Sequence, residues 1–202
     1  MAGFPKAIIA TRSPVGAVFA VLLCLVGAPA NDAWANEPIT RFGLTFPAEA
    51  ADAKIGTAHD FEKNKPGLGH SVEYLQPGWK INVYIYDLGE QSIPDDPESK
   101  IVKRQLKQAA NDIFDAGRRG VYDNVELKHD YTIADKEKRA RFLCSAFLYL
   151  HKTAGDVDSF LCVTSWSGKF IKIRMTTRRA AGAQATARKF IDAWAKVLWP
   201  GS

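Results

Sequence analysis

Sulfur is scarce in this chain: it has three cysteines and two methionines, and only Cys144 and Cys162 lie beyond residue 35. A zinc site built on those two cysteines would need two further ligands, and neither a CxxC nor an HxxxH spacing supplies them. No GxSxG occurs, so the strained turn that presents a hydrolase serine is missing. Ser167 does precede a glycine in Thr164-Ser165-Trp166-Ser167-Gly168, but the pattern there is that of a hairpin turn, where serine bonds to its own backbone. A third glycine is also lacking after Gly67-Leu68-Gly69. A dinucleotide fingerprint needs a strand before its glycines and a helix opening on them, whereas here a strand follows. Repeats, low-complexity tracts and long linkers are absent from residues 36–202, which reads as one domain.

Only one long apolar run is present, Val15 to Gly27, about 13 residues where a membrane span needs about 20. Lys6 and Arg12 precede it and Ala33-Trp34-Ala35 follows, the basic, apolar and small-residue order of a secretory signal peptide. Cleavage is expected after Ala35, with Ala30 as the alternative. Leu23, before Cys24, is too large for a lipobox. Removing residues 1–35 takes away Lys6, Arg12 and Asp32, leaving 25 basic against 21 acidic residues, a formal charge of +4. That excess is mild. The destination is periplasmic or secreted, which argues against nucleic acid as a partner, and no membrane span remains after processing. In an oxidising compartment Cys144 and Cys162 are expected to form a disulfide. Pairing 144 directly with 162 centres their hairpin on Thr153, while a tip at Ala154-Gly155 pairs Cys144 with Ser165 instead.

Hydropathy alternates with period two in Phe42, Leu44 and Phe46; a polar loop through His59 to Lys65 follows. His70, Val72 and Tyr74, then Trp79, Ile81, Val83 and Ile85, alternate on either side of Pro77-Gly78, which predicts a β-hairpin. From Asp95 the period changes: Asp96 is the expected cap, Pro97 the first helical residue, and Val102, Leu106, Ala109, Ala110, Ile113 and Phe114 form one stripe ending at Gly117 or Gly120. Strand signals resume at Val125, Leu127, His129 and Tyr131, then Phe142 to Leu150, Phe160 to Trp166 and Phe170 to Met175. A terminal helix from about Ala181 to Leu198 carries Ala187, Phe190, Ile191, Trp194, Val197 and Leu198 on its apolar face. The fold class is α+β, an antiparallel sheet of about six to seven strands covered by two amphipathic helices.

Gly67-Leu68-Gly69-x-Ser71-x-x-Tyr74, followed by Val83-Tyr84-Ile85-Tyr86-Asp87-Leu88-Gly89, resembles a family of exported bacterial proteins of unknown function. That resemblance covers about 25 residues and the helix after them, and it implies no activity. The order of elements is also loosely similar to the PsbP-like fold, an antiparallel sheet between helices. Fold alone does not assign function.

Two function classes follow. One is a non-catalytic periplasmic binding or accessory module with no cofactor, recognising a periplasmic protein or small ligand. Its surface lies near Tyr84, Tyr86 and the turn holding Asp87 and Glu90, because the two tyrosines share a strand face opposite Ile81, Val83 and Ile85. The other is a small periplasmic hydrolase or metal-dependent enzyme assembled from dispersed histidines and carboxylates. No spacing supports the second, and no residue is assigned as catalytic or as a metal ligand. His129 is expected to be buried and hydrogen-bonded. Asp95, Asp96 and Glu98 are read as helix-start residues rather than calcium ligands.

Overall fold

The computed structural model describes residues 37–201; the expected signal peptide, both expected cleavage positions and Cys24 lie outside the described residues. Two short strands come first, β1 (Ile39–Arg41) and β2 (Leu44–Phe46), paired with each other. What reads as one strand is thus a hairpin, broken where Phe42 and Gly43 both take positive φ (50° and 79°), so Phe42 is exposed rather than buried. Eight strands then form one antiparallel sheet: β3 (Glu49–Ala50), β4 (Ala53–Asp60), β5 (His70–Gln76), β6 (Trp79–Tyr86), β7 (Tyr122–Ala134), β8 (Ala140–His151), β9 (Gly155–Trp166) and β10 (Lys169–Arg178). Helix α1 (Lys100–Arg118) joins β6 to β7, and α2 (Ala183–Leu198) closes the chain. The class is α+β, with a few more strands than the hydropathy pattern gives. The main addition, β4, is poor in strong β formers and gains its structure from pairing with β5 across a bulge between Ile55 and Ala58.

The strand order is β3-β4-β5-β6-β10-β9-β8-β7. The pairing of β6 with β10 joins an N-terminal set of hairpins to a C-terminal meander, and α1 carries the chain from the sheet's middle to its far edge. Cys144 lies directly opposite Cys162, His151 opposite Gly155, so the β8–β9 hairpin is centred on Thr153. The sulfur atoms sit at disulfide distance, 2.00 Å, with the Cα atoms 4.1 Å apart.

Each face of the sheet has its own helix. Odd residues of β6 and β10 (Ile81, Val83, Ile85; Ile171, Ile173, Met175) pack with Cys144, Cys162 and the stripe of α2. Trp194 at its centre is fully buried, with edge contacts to Phe46 (5.3 Å) and Tyr74 (6.0 Å). Phe147, Leu161, Val163 and Phe170 on the opposite face pack under Val102, Ala109 and Ile113 of α1. That helix starts later than its sequence suggests. Ser99 is the cap, its Oγ accepting from Val102 N–H, while Asp96 instead bonds to Glu98 N–H in the preceding turn. It ends in a Schellman motif: Val121 N–H reaches Ala116 C=O, Gly120 N–H reaches Gly117 C=O, and Gly120 has φ 71°.

His129 is exposed, not buried. The edge strand β7 shifts register between Asp123 and Glu126 and again between Leu127 and His129, so one alternating phase does not run its length. Val125 packs on the α1 side and Tyr131 on the α2 side, leaving His129 between them in solvent, 3.1 Å from the side-chain amide of Gln184.

Candidate functional site

The glycine-rich stretch 66–89 is built around a carboxylate from the loop just before it. Glu62 accepts hydrogen bonds from Gly67 N–H (3.1 Å) and Gly69 N–H (2.6 Å), filling the position an anion would take. The same loop is tied to the Asp87-Leu88-Gly89 turn, since Leu88 N–H donates to Gly67 C=O at 2.8 Å. Both glycines face crowded backbone: a Cβ at Gly67 would meet Gly89 N at 2.7 Å, and one at Gly69 would meet Ile85 O at 1.8 Å. The two halves of the motif that resembles an exported family are therefore one structural unit.

Of the four residues on the predicted surface, three serve local structure. Tyr86 is 5% exposed under α1, where its hydroxyl accepts from Gln105 Nε2 at 2.9 Å. Asp87 pairs with Lys169 (2.5 Å) and accepts from Gly89 N–H (2.7 Å). Burial pushes the Asp87 carboxyl up, but the Lys169 ammonium and Gly89 N–H outweigh it and hold the group below the usual carboxylate range. Glu90 pairs with Arg104 at 2.6 Å on the surface. The strand face bearing both tyrosines is thus split, with Tyr86 covered by the helix and Tyr84 left at its margin.

Tyr84 opens onto a cleft of about 530 Å³ on the part of this face that α1 does not cover. Five strands furnish its walls. β6 supplies Lys80, Asn82 and Tyr84; β10 supplies Arg174, Thr176 and Arg178; β9 supplies Val157; β8 supplies Tyr149 and His151; and β7 supplies Tyr122. The β6–β10 register sets Tyr84 opposite Lys172 and Asn82 opposite Arg174. Tyr122 and Tyr149 stack with centroids 4.2 Å apart and planes 25° from parallel. Arg174 donates from Nε to Ser159 Oγ (3.0 Å) and from Nη2 to the Tyr149 hydroxyl (3.4 Å). Burial pushes the Tyr84 phenol up, and burial together with the neighbouring Tyr149 does the same to Tyr122, so both stay neutral near pH 7. Lys172 adjoins the cleft with its ammonium 4.3 Å from the Tyr84 ring centroid and 5.3 Å from that of Tyr86. Enclosure pushes that ammonium down to about 8, with Arg174 adding to the shift and Asp112 opposing it.

The sequence reading identifies Tyr84 but misses Lys172, Arg174, Tyr122 and Tyr149. One signal was available: Lys172 and Arg174 alternate with Ile171, Ile173 and Met175, placing two cations on one face of a strand. That β10 lies mid-sheet, where a charged face needs an explanation, depends on pairing with residues more than eighty positions away.

The histidines do not converge. His70 Nδ1 lies 3.6 Å from Asp60 Oδ1, against the ring of Phe42, away from the cleft. His151 lines the cleft, its Nδ1 accepting from Thr153 and Ala154 N–H at the hairpin tip. Ser167 sits in the two-residue β9–β10 turn, and no hydrogen bond among the described residues joins it to a histidine. Among those residues no group of three or more His, Cys, Asp and Glu is placed to hold a metal, and no helix is long and apolar enough to cross a membrane.

No protein-family model matches the chain, and no curated protein matches it. Among solved structures it is similar to cyanobacterial PsbP (CyanoP) from Synechocystis sp., at 12% identity and a TM-score of 0.46, over 90% of this chain and 98% of that one. It is also similar to the Ran-binding protein Mog1p of Saccharomyces cerevisiae, at 11% identity and a TM-score of 0.37, over 81% of this chain and 90% of that one. A protein of unknown function from Pseudomonas aeruginosa is similar at 12% identity and a TM-score of 0.34, over 82% of this chain and 95% of that one. The cleft residues are assigned from this chain's own geometry.

Proposed function

We propose that the protein is an exported, non-catalytic binding or accessory module acting as a single domain of residues 36–202 after loss of a leader, residues 1–35, and that it binds through the cleft beside α1. The observation that carries this reading is the convergence of three tyrosines, Tyr84, Tyr122 and Tyr149, with Arg174 on one open concavity. A cleft of about 530 Å³ lies within the usual range for small-molecule sites, roughly 300 to 1,000 Å³. Stacked rings offer area at little entropic cost, and a guanidinium supplies direction. A basic and apolar leader, together with two cysteines at disulfide distance, supports a periplasmic or secreted location. Membership of the exported bacterial family remains part of this proposal, resting on the Gly67 to Gly89 motif.

The alternative, a hydrolase or metal-dependent enzyme, has less support. His70 beside Asp60 lies off the cleft, and His151, which lines it, spends its Nδ1 on Thr153 and Ala154 of its own hairpin tip. The test is to equilibrate the protein with the small-molecule fraction of the compartment that receives it and analyse what stays bound by mass spectrometry. A compound retained by the native protein, recovered unchanged and lost from Tyr149→Ala, is the expected result. Retention unaffected by that substitution, or recovery of a converted compound, would overturn the reading.

A further inference from the structure

The cleft's charges are all of one sign. Lys80, Arg174 and Arg178 line it and no aspartate or glutamate does. Lys172 lines an adjoining hollow of about 80 Å³ that shares Tyr84 and Arg174 with the cleft. Among the described residues Lys172 has no carboxylate within ion-pair distance, 4.0 Å, and its contacts are the faces of two tyrosines. Asp112 of α1 lines the same hollow, but its carboxylate accepts from Gln108. Arg174 meets only neutral groups, the hydroxyls of Ser159, Tyr149 and Tyr122, and has no carboxylate within ion-pair distance among the described residues. Two adjacent cations in an enclosed setting, with no carboxylate in ion-pair contact and Asp112 offsetting their charge only in part, repel each other and lack full hydration, an arrangement that a bound negative charge relieves.

We propose that the cleft binds a small organic anion, its carboxylate or phosphate head between Arg174 and Lys172 and its flat apolar body against Tyr84, Tyr122 and Tyr149. This rests on the reading of the cleft as the binding surface and adds the chemical class of its occupant. A guanidinium is suited to the planar, two-oxygen edge of such a head, and the ammonium beside it acts as a point charge. The volume is much larger than an inorganic ion needs, and the stacked Tyr122–Tyr149 pair gives the rest of the ligand an aromatic wall. Lys172 makes the site sensitive to pH. The groups facing it are Tyr84 and Tyr86 from β6, Arg174 on its own strand and Asp112 from α1; the tyrosines stay neutral, so the ammonium is the first of them to titrate as pH rises above 8.

The experiment titrates the isotopically labelled protein, expressed from the full chain, and follows its amide resonances. The probes are 2-naphthoate, 2-naphthyl phosphate, 2-naphthalenemethanol, 2-naphthylmethylamine and inorganic phosphate. At least one naphthyl anion should shift residues of the cleft, and comparing the two decides between a carboxylate and a phosphate head. The alcohol, the amine and phosphate alone should bind at least tenfold more weakly. Arg174→Met should weaken the anion at least tenfold, while Arg174→Lys, with an unchanged melting temperature, should lose less. The wild-type preference for anion over alcohol should shrink between pH 7 and pH 9, and Lys172→Met should remove that pH dependence. If the alcohol binds as tightly as the anions and Arg174→Met changes nothing, the anion assignment is overturned while the cleft stands as a binding surface. If no probe shifts a cleft resonance, the assignment is overturned too; the binding-surface reading then falls only if the retention experiment also fails.

Discussion

Lys172 on β10 stands directly opposite Tyr84 on β6, with its ammonium 4.3 Å from the phenol ring's centroid and no carboxylate within ion-pair distance among the described residues. Burial leaves this amine with a pKa of about 8, whereas in the unfolded chain it titrates near 10.4. Between those values the unfolded chain holds more protons, so Lys172 makes stability rise with pH across that window, and below pH 8 the charged amine is a standing cost. Lys172→Met should therefore stabilise the protein at pH 7 by on the order of 3 kcal/mol. The gain should shrink toward pH 10. Urea unfolding at pH 7, 8.5 and 10 checks this; a destabilised mutant at pH 7 would mean that the ammonium has a counter-charge.

Gly69 and Gly43 make a matched pair. Both have positive φ (69° and 79°), but a Cβ at Gly69 would lie 1.8 Å from Ile85 O, while at Gly43 nothing lies within 4 Å. Gly43→Ala should cost about 1 to 2 kcal/mol, the penalty of the left-handed conformation alone. Gly69→Ala should cost clearly more, because the loop holding Glu62 must move. Equal losses in thermal unfolding would mean that the loop does not approach β6.

The elements and their hydrophobic faces were legible because both helices and most strands bury one side, so period alone marks them. The α2 stripe from Ala187 to Leu198 and the Pro77-Gly78 turn follow directly from residue type. β4 was not legible, since Ala, Lys, Gly, His and Asp carry little strand preference, Ile55 and Thr57 are its only strong strand formers, and pairing with β5 orders the rest. Nor was the exposure of His129, which depends on bulges in β7. Site legibility stopped at Tyr84. What separates Tyr84 from Tyr86 is where α1 ends its cover, and what adds Tyr122, Tyr149 and Arg174 is the register of four other strands.

Trp194 contributes stability and not binding. It is fully buried between Phe46 and Tyr74 on the face opposite the cleft, so Trp194→Ala should cost about 3 to 5 kcal/mol. A melting temperature close to that of the parent would show that α2 does not cover this face.

Cys144 and Cys162 should be bonded in the folded protein if it is exported as proposed. Thiol counting on unfolded, unreduced material should find neither of them reactive, and reduction should lower stability by roughly 3 kcal/mol for a loop of this length. Two reactive thiols would contradict both the pairing and the oxidising destination.

On the function proposed, this protein binds at the cleft beside α1 and does not transform what it binds. The measurement that bears on this most directly is an amide-resonance map of the labelled protein in the presence of the small-molecule fraction of its own compartment. Shifts should be confined to the cleft, around Tyr84, Tyr122, Tyr149, His151 and Arg174, with full recovery of the bound compound. Shifts centred on the Asp87 to Glu90 turn or on His70 and Asp60, or the appearance of a reaction product, would contradict it.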